Sequence, residues 1–191
     1  ATLPRGSRST RRTANGEKKL NRVSGRNKSA MQAHSMLPTP SPAVRSMKSS
    51  SGSASGGMIA NSPAALEGYF GLMGALSKGA LDAKTHERIA LAVAEINGCS
   101  YCLSAHSYLG RHVAKLDDAE LTANRNGASN DPKADAAVRF AATIVRERGH
   151  VSDADVAAVR KAGFDDAQLV EIVLHVALNT LTNYVNEVAL T

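Results

Sequence analysis

From Ala60 onward, apolar residues recur at the three- and four-residue spacing of helices, and each run is bracketed by start and stop signals. Ser62-Pro63 sets a capping hydroxyl before a proline at the first helical position, ahead of Leu66, Tyr69, Phe70, Met73 and Leu76; Gly79 ends that run. A second helix is predicted over about Ala83–Asn97, with Ile89, Ala92, Val93 and Ile96 on its apolar face and Gly98 closing it. A third begins at Cys99 or Ser100 and reaches about Lys115. A short one near Asp117–Asn126 stops at Gly127. Asp131-Pro132 opens another, carrying Ala136, Val138, Phe140, Ala141, Ile144 and Val145 and ending at Gly149. Ser152 and Asp155 form a capping box with Asp in place of the usual Glu, and the helix they open ends at Gly163. Asp165 caps the last helix, about Asp166–Ala189. That helix is apolar on most sides, so it must be buried in its own domain or against another subunit. No segment alternates as a strand would, and the fold class expected is all-α.

Residues 1–57 break this pattern. They are rich in Ser, Gly, Arg and Pro and show no sustained apolar period, so they read as a disordered tail ahead of a helical domain over 58–191. Charge divides the same way. Residues 1–50 hold eleven Lys or Arg against the single acid Glu17, a net of +10, whereas residues 51–191 hold twelve against sixteen, a net of −4. The overall +6 therefore belongs to the tail. All seven aromatic residues lie at or beyond Tyr69, so the tail has no ring on which a base could stack, which argues against nucleic-acid binding. A solvated tail, an organelle transit peptide, a weak nucleic-acid arm and sequence upstream of a natural start at Met58 all fit this composition. No apolar run approaches the roughly 18 residues of a membrane helix, and two cysteines cannot build a disulfide scaffold.

The candidate chemistry lies in Glu87, Cys99, Cys102 and His106. Residues three apart on a helix are neighbours, so the two cysteines fall within disulfide reach. Gly98 ends one helix and the cysteines open the next, so Cys99 sits near unpaired N–H groups and the positive end of a helix dipole, which favours thiolate. His106 follows Cys102 by four residues and Cys99 by seven, on the same face, where an imidazole can take a proton from sulfur. Glu87 lies twelve residues before Cys99 on the preceding helix and reaches this group if the two helices pack antiparallel. The cysteines and His106 would also serve as three zinc ligands, but a closed site needs a fourth. No haem, flavin or nucleotide motif is visible, so no cofactor is expected. His112 and His150 read as surface residues, and His175 as a hydrogen-bonded core or interface residue.

The pattern from Leu81 to His106, with Glu87 twelve residues ahead of Cys-x-x-Cys-x-x-x-His, resembles the AhpD-like alkylhydroperoxidases of the carboxymuconolactone decarboxylase superfamily. The resemblance extends over about Ser62–Thr191, including the closing run from Leu178 to Asn186. It implies an all-helical domain of six to seven helices that assembles into homo-oligomers and reduces hydroperoxides with thiols. By position, Cys102 would be the thiolate that attacks the O–O bond, Cys99 the resolving thiol, and His106 with Glu87 the proton relay. Tyr101 stands where the best-known members carry a second His. The reductant implied is a lipoyl domain or a thioredoxin-like protein, and the setting a reducing cytoplasm in which a Cys-x-x-Cys pair is catalytic rather than structural. The other readings are a decarboxylase, for which the cysteines would be dispensable, and a redox sensor using its basic tail on nucleic acid.

Overall fold

A computed structural model describes residues 54–189, and eight helices account for the regular structure among them. They are α1 (Ala54–Ile59), α2 (Pro63–Leu76), α3 (Ala83–Asn97), α4 (Ser100–His112), α5 (Asp118–Arg125), α6 (Pro132–Arg146), α7 (Asp153–Lys161) and α8 (Asp166–Ala189). No strand occurs among the described residues. Most of the expected tail, up to residue 53, lies outside them. Helix α1 straddles its expected boundary at residue 57, and nothing in its Ala-Ser-Gly-Gly-Met-Ile sequence announces a helix.

The capping signals are met by the hydrogen bonds they predict. Ser62, Asp82, Asp117, Asp131 and Ser152 each accept a backbone N–H from the first turn of the helix they precede. The Ser152–Asp155 box is reciprocal, and Asp165 and Gln168 exchange the same pair of bonds at the start of α8. Helix α4 stops at His112, three residues before the expected end. There the chain unwinds: Lys115 takes a left-handed φ of 57°, and the Leu116 N–H closes back on the Gly110 carbonyl at 2.9 Å.

Helix α3 is the centre of the molecule. Every residue from Arg88 to Ala94 is buried, and α4, α5, α6 and α8 all pack on it. Its alanines at 90, 92 and 94 let those neighbours approach closely, while Ile89 and Val93 join Phe140 and Ala141 of α6, Val159, Phe164, and Ile172 and Val176 of α8 in the main core. Leu91 faces the other way, into a smaller cluster with Ala114, Leu116 and Leu121.

Two helices depart from expectation. Of the apolar face predicted for α2, only Leu76 is buried; Phe70 and Met73 are exposed because the helix lies at the edge of the bundle. Helix α8 buries one face only, and that face mixes Ile172, Val176 and Ala189 with the polar His175, Asn179, Asn183 and Asn186, whereas Val170, Leu174, Leu181, Tyr184 and Val188 are exposed. Centrally buried it is not. The apolar side chains form a stripe at alternating four- and three-residue spacing on its outer surface.

A buried ion pair ties α3 to α5. Arg88 Nε donates to Glu120 Oε1 at 2.7 Å, and the same carboxylate accepts from Asn124, from the Ser129 hydroxyl and from the Asn130 backbone. Burial alone would push the Glu120 pKa up, but these donors prevail and hold it at about 2, against a usual 4.5. The depressed carboxyl contributes stability that is complete above pH about 4.5 and is lost as pH falls toward 2. At ~1.4 kcal/mol per unit this amounts to about 3 kcal/mol. Replacing Glu120 with Gln should lower the unfolding free energy at pH 7 by roughly that amount and flatten its decline between pH 4.5 and 2, as measured by denaturant titration across pH. An unchanged acid limb in the variant would show that this carboxylate does not govern it.

Candidate functional site

The site begins with a turn of one residue. Gly98 adopts φ 74°, ψ 20°, and its N–H reaches the Ala94 and Glu95 carbonyls, ending α3. Nothing would obstruct a Cβ there; the left-handed backbone is what favours glycine. Cys99 follows at once as the N-cap of α4, a place usually held by an oxygen side chain, and its Sγ accepts the Cys102 N–H at 3.2 Å. A sulfur here feels the unpaired N–H groups of the first turn.

Cys99 and Cys102 are joined as a disulfide, their Cα atoms 5.3 Å apart. Both are buried, and with Ala94 and the half-buried Leu103 they form a small apolar cluster between α3 and α4. The Asn186 amide on α8 donates to Cys102 Sγ at 3.2 Å, and one turn earlier Asn183 Oδ1 accepts from Asn97 at the end of α3 at 3.0 Å. Asn183 and Asn186 of α8 thus face the cysteine turn. Sequence reasoning passed over them, although Asn179, Asn183 and Asn186 recur at four and three residues within an otherwise apolar helix.

Glu87 and His106 meet as the antiparallel packing of α3 and α4 requires. His106 Nδ1 lies 2.9 Å from Glu87 Oε2, and both side chains are about one-fifth exposed. With the carboxylate ionised, Nδ1 carries the proton, which leaves the Nε2 lone pair as the basic position of the ring. Tyr101, by contrast, is exposed, whereas its neighbour in sequence, Cys102, is buried. Among the described residues, no group of three or more His, Cys, Asp or Glu could hold a metal ion, so the zinc alternative has no ligand set.

Beside the Glu87–His106 pair lies a cavity of about 240 Å³ between α2, α3, α4 and α8. Tyr69, Met73, Leu76, Ala90 and Leu178 give it apolar walls, and Asn179 and Thr182 lie along α8. His86 and His175 complete it, their rings stacked with centroids 4.0 Å apart. The hydrogen-bonded His175 expected from the sequence is corrected here. It is buried as expected, but its Nε2, like that of His86, is buried with no hydrogen-bond partner in the protein. Burial lowers the pKa of both rings. For His86 the nearby Asp82, Glu87 and Glu171 carboxylates only partly oppose it, and His175, further disfavoured by His86, falls to about 4. His112 and His150 are exposed.

Among the described residues, no helix is long and apolar enough to cross a membrane. No curated protein matches the sequence. The fold is similar to that of an uncharacterized peroxidase-related protein from Silicibacter sp. TM1040 (TM-score 0.65, 20% identity, 92% of this chain and 86% of that one). It is also similar to an alkylhydroperoxidase AhpD core, an uncharacterized peroxidase-related protein from Ralstonia eutropha JMP134 (TM-score 0.61, 25% identity, 68% and 70%). The debrominase Bmp8, solved in complex with 2,3,4-tribromopyrrole, shares the fold at 16% identity (TM-score 0.61, 70% and 73%). Residues 63–147 match the carboxymuconolactone decarboxylase family model, and the fold is that of the AhpD-like, peroxidase-related proteins to which the chain is similar.

Proposed function

We propose that the protein is a thiol-dependent hydroperoxide reductase. The observation that carries this reading is the cysteine pair, bonded at the N-terminus of α4 with the Glu87–His106 pair on the same two helices. In the reduced enzyme His106 takes the Cys102 proton, with Glu87 steadying the imidazolium. The Cys102 thiolate attacks the terminal peroxide oxygen. The O–O bond breaks, sulfur is oxidised by two electrons to sulfenic acid, and the departing alkoxide takes the proton to leave as an alcohol. Cys99 then gives its proton to His106 and its thiolate attacks the sulfenic sulfur; the disulfide forms as the S–O bond breaks, and the departing hydroxide takes that proton from the imidazolium to leave as water. An external dithiol reduces the disulfide by exchange through a mixed disulfide and is itself oxidised to a disulfide. A lipoyl domain or a thioredoxin-like protein fits that role, in a reducing cytoplasm.

Asn186 belongs to this machinery as a positioning residue, since an amide N–H directed at sulfur favours the charged thiolate over the thiol. Tyr101 leaves the relay one member short of the best-known relatives, so His106 and Glu87 carry proton transfer alone. The exposed stripe of α8, from Val170 through Leu174, Ala177, Leu181 and Tyr184 to Val188, supports a homo-oligomer, because its heptad-like spacing suits a second helix. A decarboxylase reading, which the family name invites, has no use for the two sulfurs.

Three outcomes are expected. Cys102→Ser should abolish dithiol-dependent peroxide consumption, by a factor of about 100 or more, with far-ultraviolet circular dichroism unchanged; undiminished turnover would leave the decarboxylase reading standing. Asn186→Leu should raise the Cys102 thiol pKa by about one unit, seen as a shift in the pH profile of alkylation of the reduced enzyme. An unmoved profile would remove Asn186 from the site. Leu181→Glu should reduce the mass found by analytical ultracentrifugation to that of a monomer; a wild-type chain already monomeric at high concentration would contradict the homo-oligomer.

A further inference from the structure

The His86–His175 pair is not used by the thiol chemistry, although the cavity it lines also reaches Glu87 and His106. A neutral imidazole has one N–H and one lone pair, and a buried nitrogen without a partner forfeits free energy that a ligand atom can restore. Here two such nitrogens, Nε2 of His86 and Nε2 of His175, lie in rings stacked 4.0 Å apart at one wall of the cavity. His175 is 95% buried, its relative exposure being 5%. His86 is hydrogen-bonded to the Leu81 backbone, which engages the ring through Nδ1, since Nε2 has no partner. That bond makes Nδ1 the protonated nitrogen and leaves Nε2 as an acceptor. Tyr69, Met73 and Leu76 of α2 and Leu178 of α8 add apolar surface to the cavity lining.

Size and charge narrow the ligand. About 240 Å³ exceeds the ~150 Å³ that admits benzene, so the space suits a single ring with a short substituent. Glu87 and Glu171 both act electrostatically on His86, and Glu171 also on His175, so the surroundings are negative and disfavour an anion.

We propose that this cavity binds a neutral, ring-sized organic molecule through a hydrogen bond from its hydroxyl or hydroperoxyl group to the His86–His175 pair. Resting on the hydroperoxide-reductase reading, the proposal makes the organic part of the substrate its occupant, held next to Glu87 and His106. The enzyme would then favour small arylalkyl hydroperoxides over hydrogen peroxide and over peroxides that bear a carboxylate.

Binding is tested apart from turnover, with the full-length oxidised protein and two probes. The first is 2-phenyl-2-propanol, the alcohol that a ring-sized hydroperoxide would yield; the second is benzoate. Calorimetry at pH 7.5 should show the alcohol binding at least tenfold more tightly than benzoate, and both His175→Phe and His86→Phe should weaken the alcohol about tenfold. In the wild-type protein, which needs no variant to fold, the ring resonances of His86 and His175 should move on titration while those of the exposed His112 and His150 stay still. Absence of binding at 10 mM, equal binding of benzoate, or unchanged affinity in both variants would overturn the proposal, with water then the only occupant of those nitrogens. Failure of binding in a protein that still loses thiols to peroxide removes the pocket and keeps the reductase; binding without thiol loss removes the reductase and keeps the pocket.

Discussion

One left-handed residue organises the site. Gly98 ends α3 and hands the chain directly to Cys99, with no loop between the helices. Because the reversal is so short, α3 and α4 lie side by side, and positions far apart in sequence come level: Glu87 on one meets His106 on the other, nineteen residues away. The same turn fixes Cys99 as the N-cap, so Cys102 falls on the first turn of α4, within bonding distance. A non-glycine at 98 would oppose the reversal through its backbone preference, at about 1–2 kcal/mol, rather than through a clash.

The environment around that turn is supplied from a distance. Helix α8 turns its asparagines inward together with Ile172 and Val176, and leaves much of its apolar surface outward. Within the chain this arrangement places amide groups against sulfur and against the end of α3, where an aliphatic face would leave a thiolate without donors. Outside the chain it leaves an exposed apolar stripe. The two faces of one helix thus join the cysteine turn to the surface proposed for self-association.

Much of this was legible in the sequence, for identifiable reasons. Capping residues act locally, so Ser62, Asp117, Asp131 and Ser152 mark helix starts that any tertiary context would respect. The Glu87–His106 pairing was readable because a Gly-terminated helix followed at once by another admits little besides an antiparallel hairpin. What escaped were facts about neighbours in space. Periodicity shows that α8 is apolar around most of its circumference but not which arc meets α3, so the inward asparagines went unnoticed. His86 and His175 are 89 positions apart, and only packing reveals that they stack and leave two nitrogens unpartnered. The early end of α4 depends on the left-handed φ of Lys115, a conformation its side chain does not advertise.

The proposed chemistry depends on the two sulfurs acting as a reversible two-electron couple toward peroxide. The most direct measurement counts free thiols in the fully reduced protein before and after one equivalent of an organic hydroperoxide, and again after a dithiol is added. Two thiols lost per chain and both recovered is the result predicted. Thiols that survive the peroxide, or that are lost and never return, would contradict it.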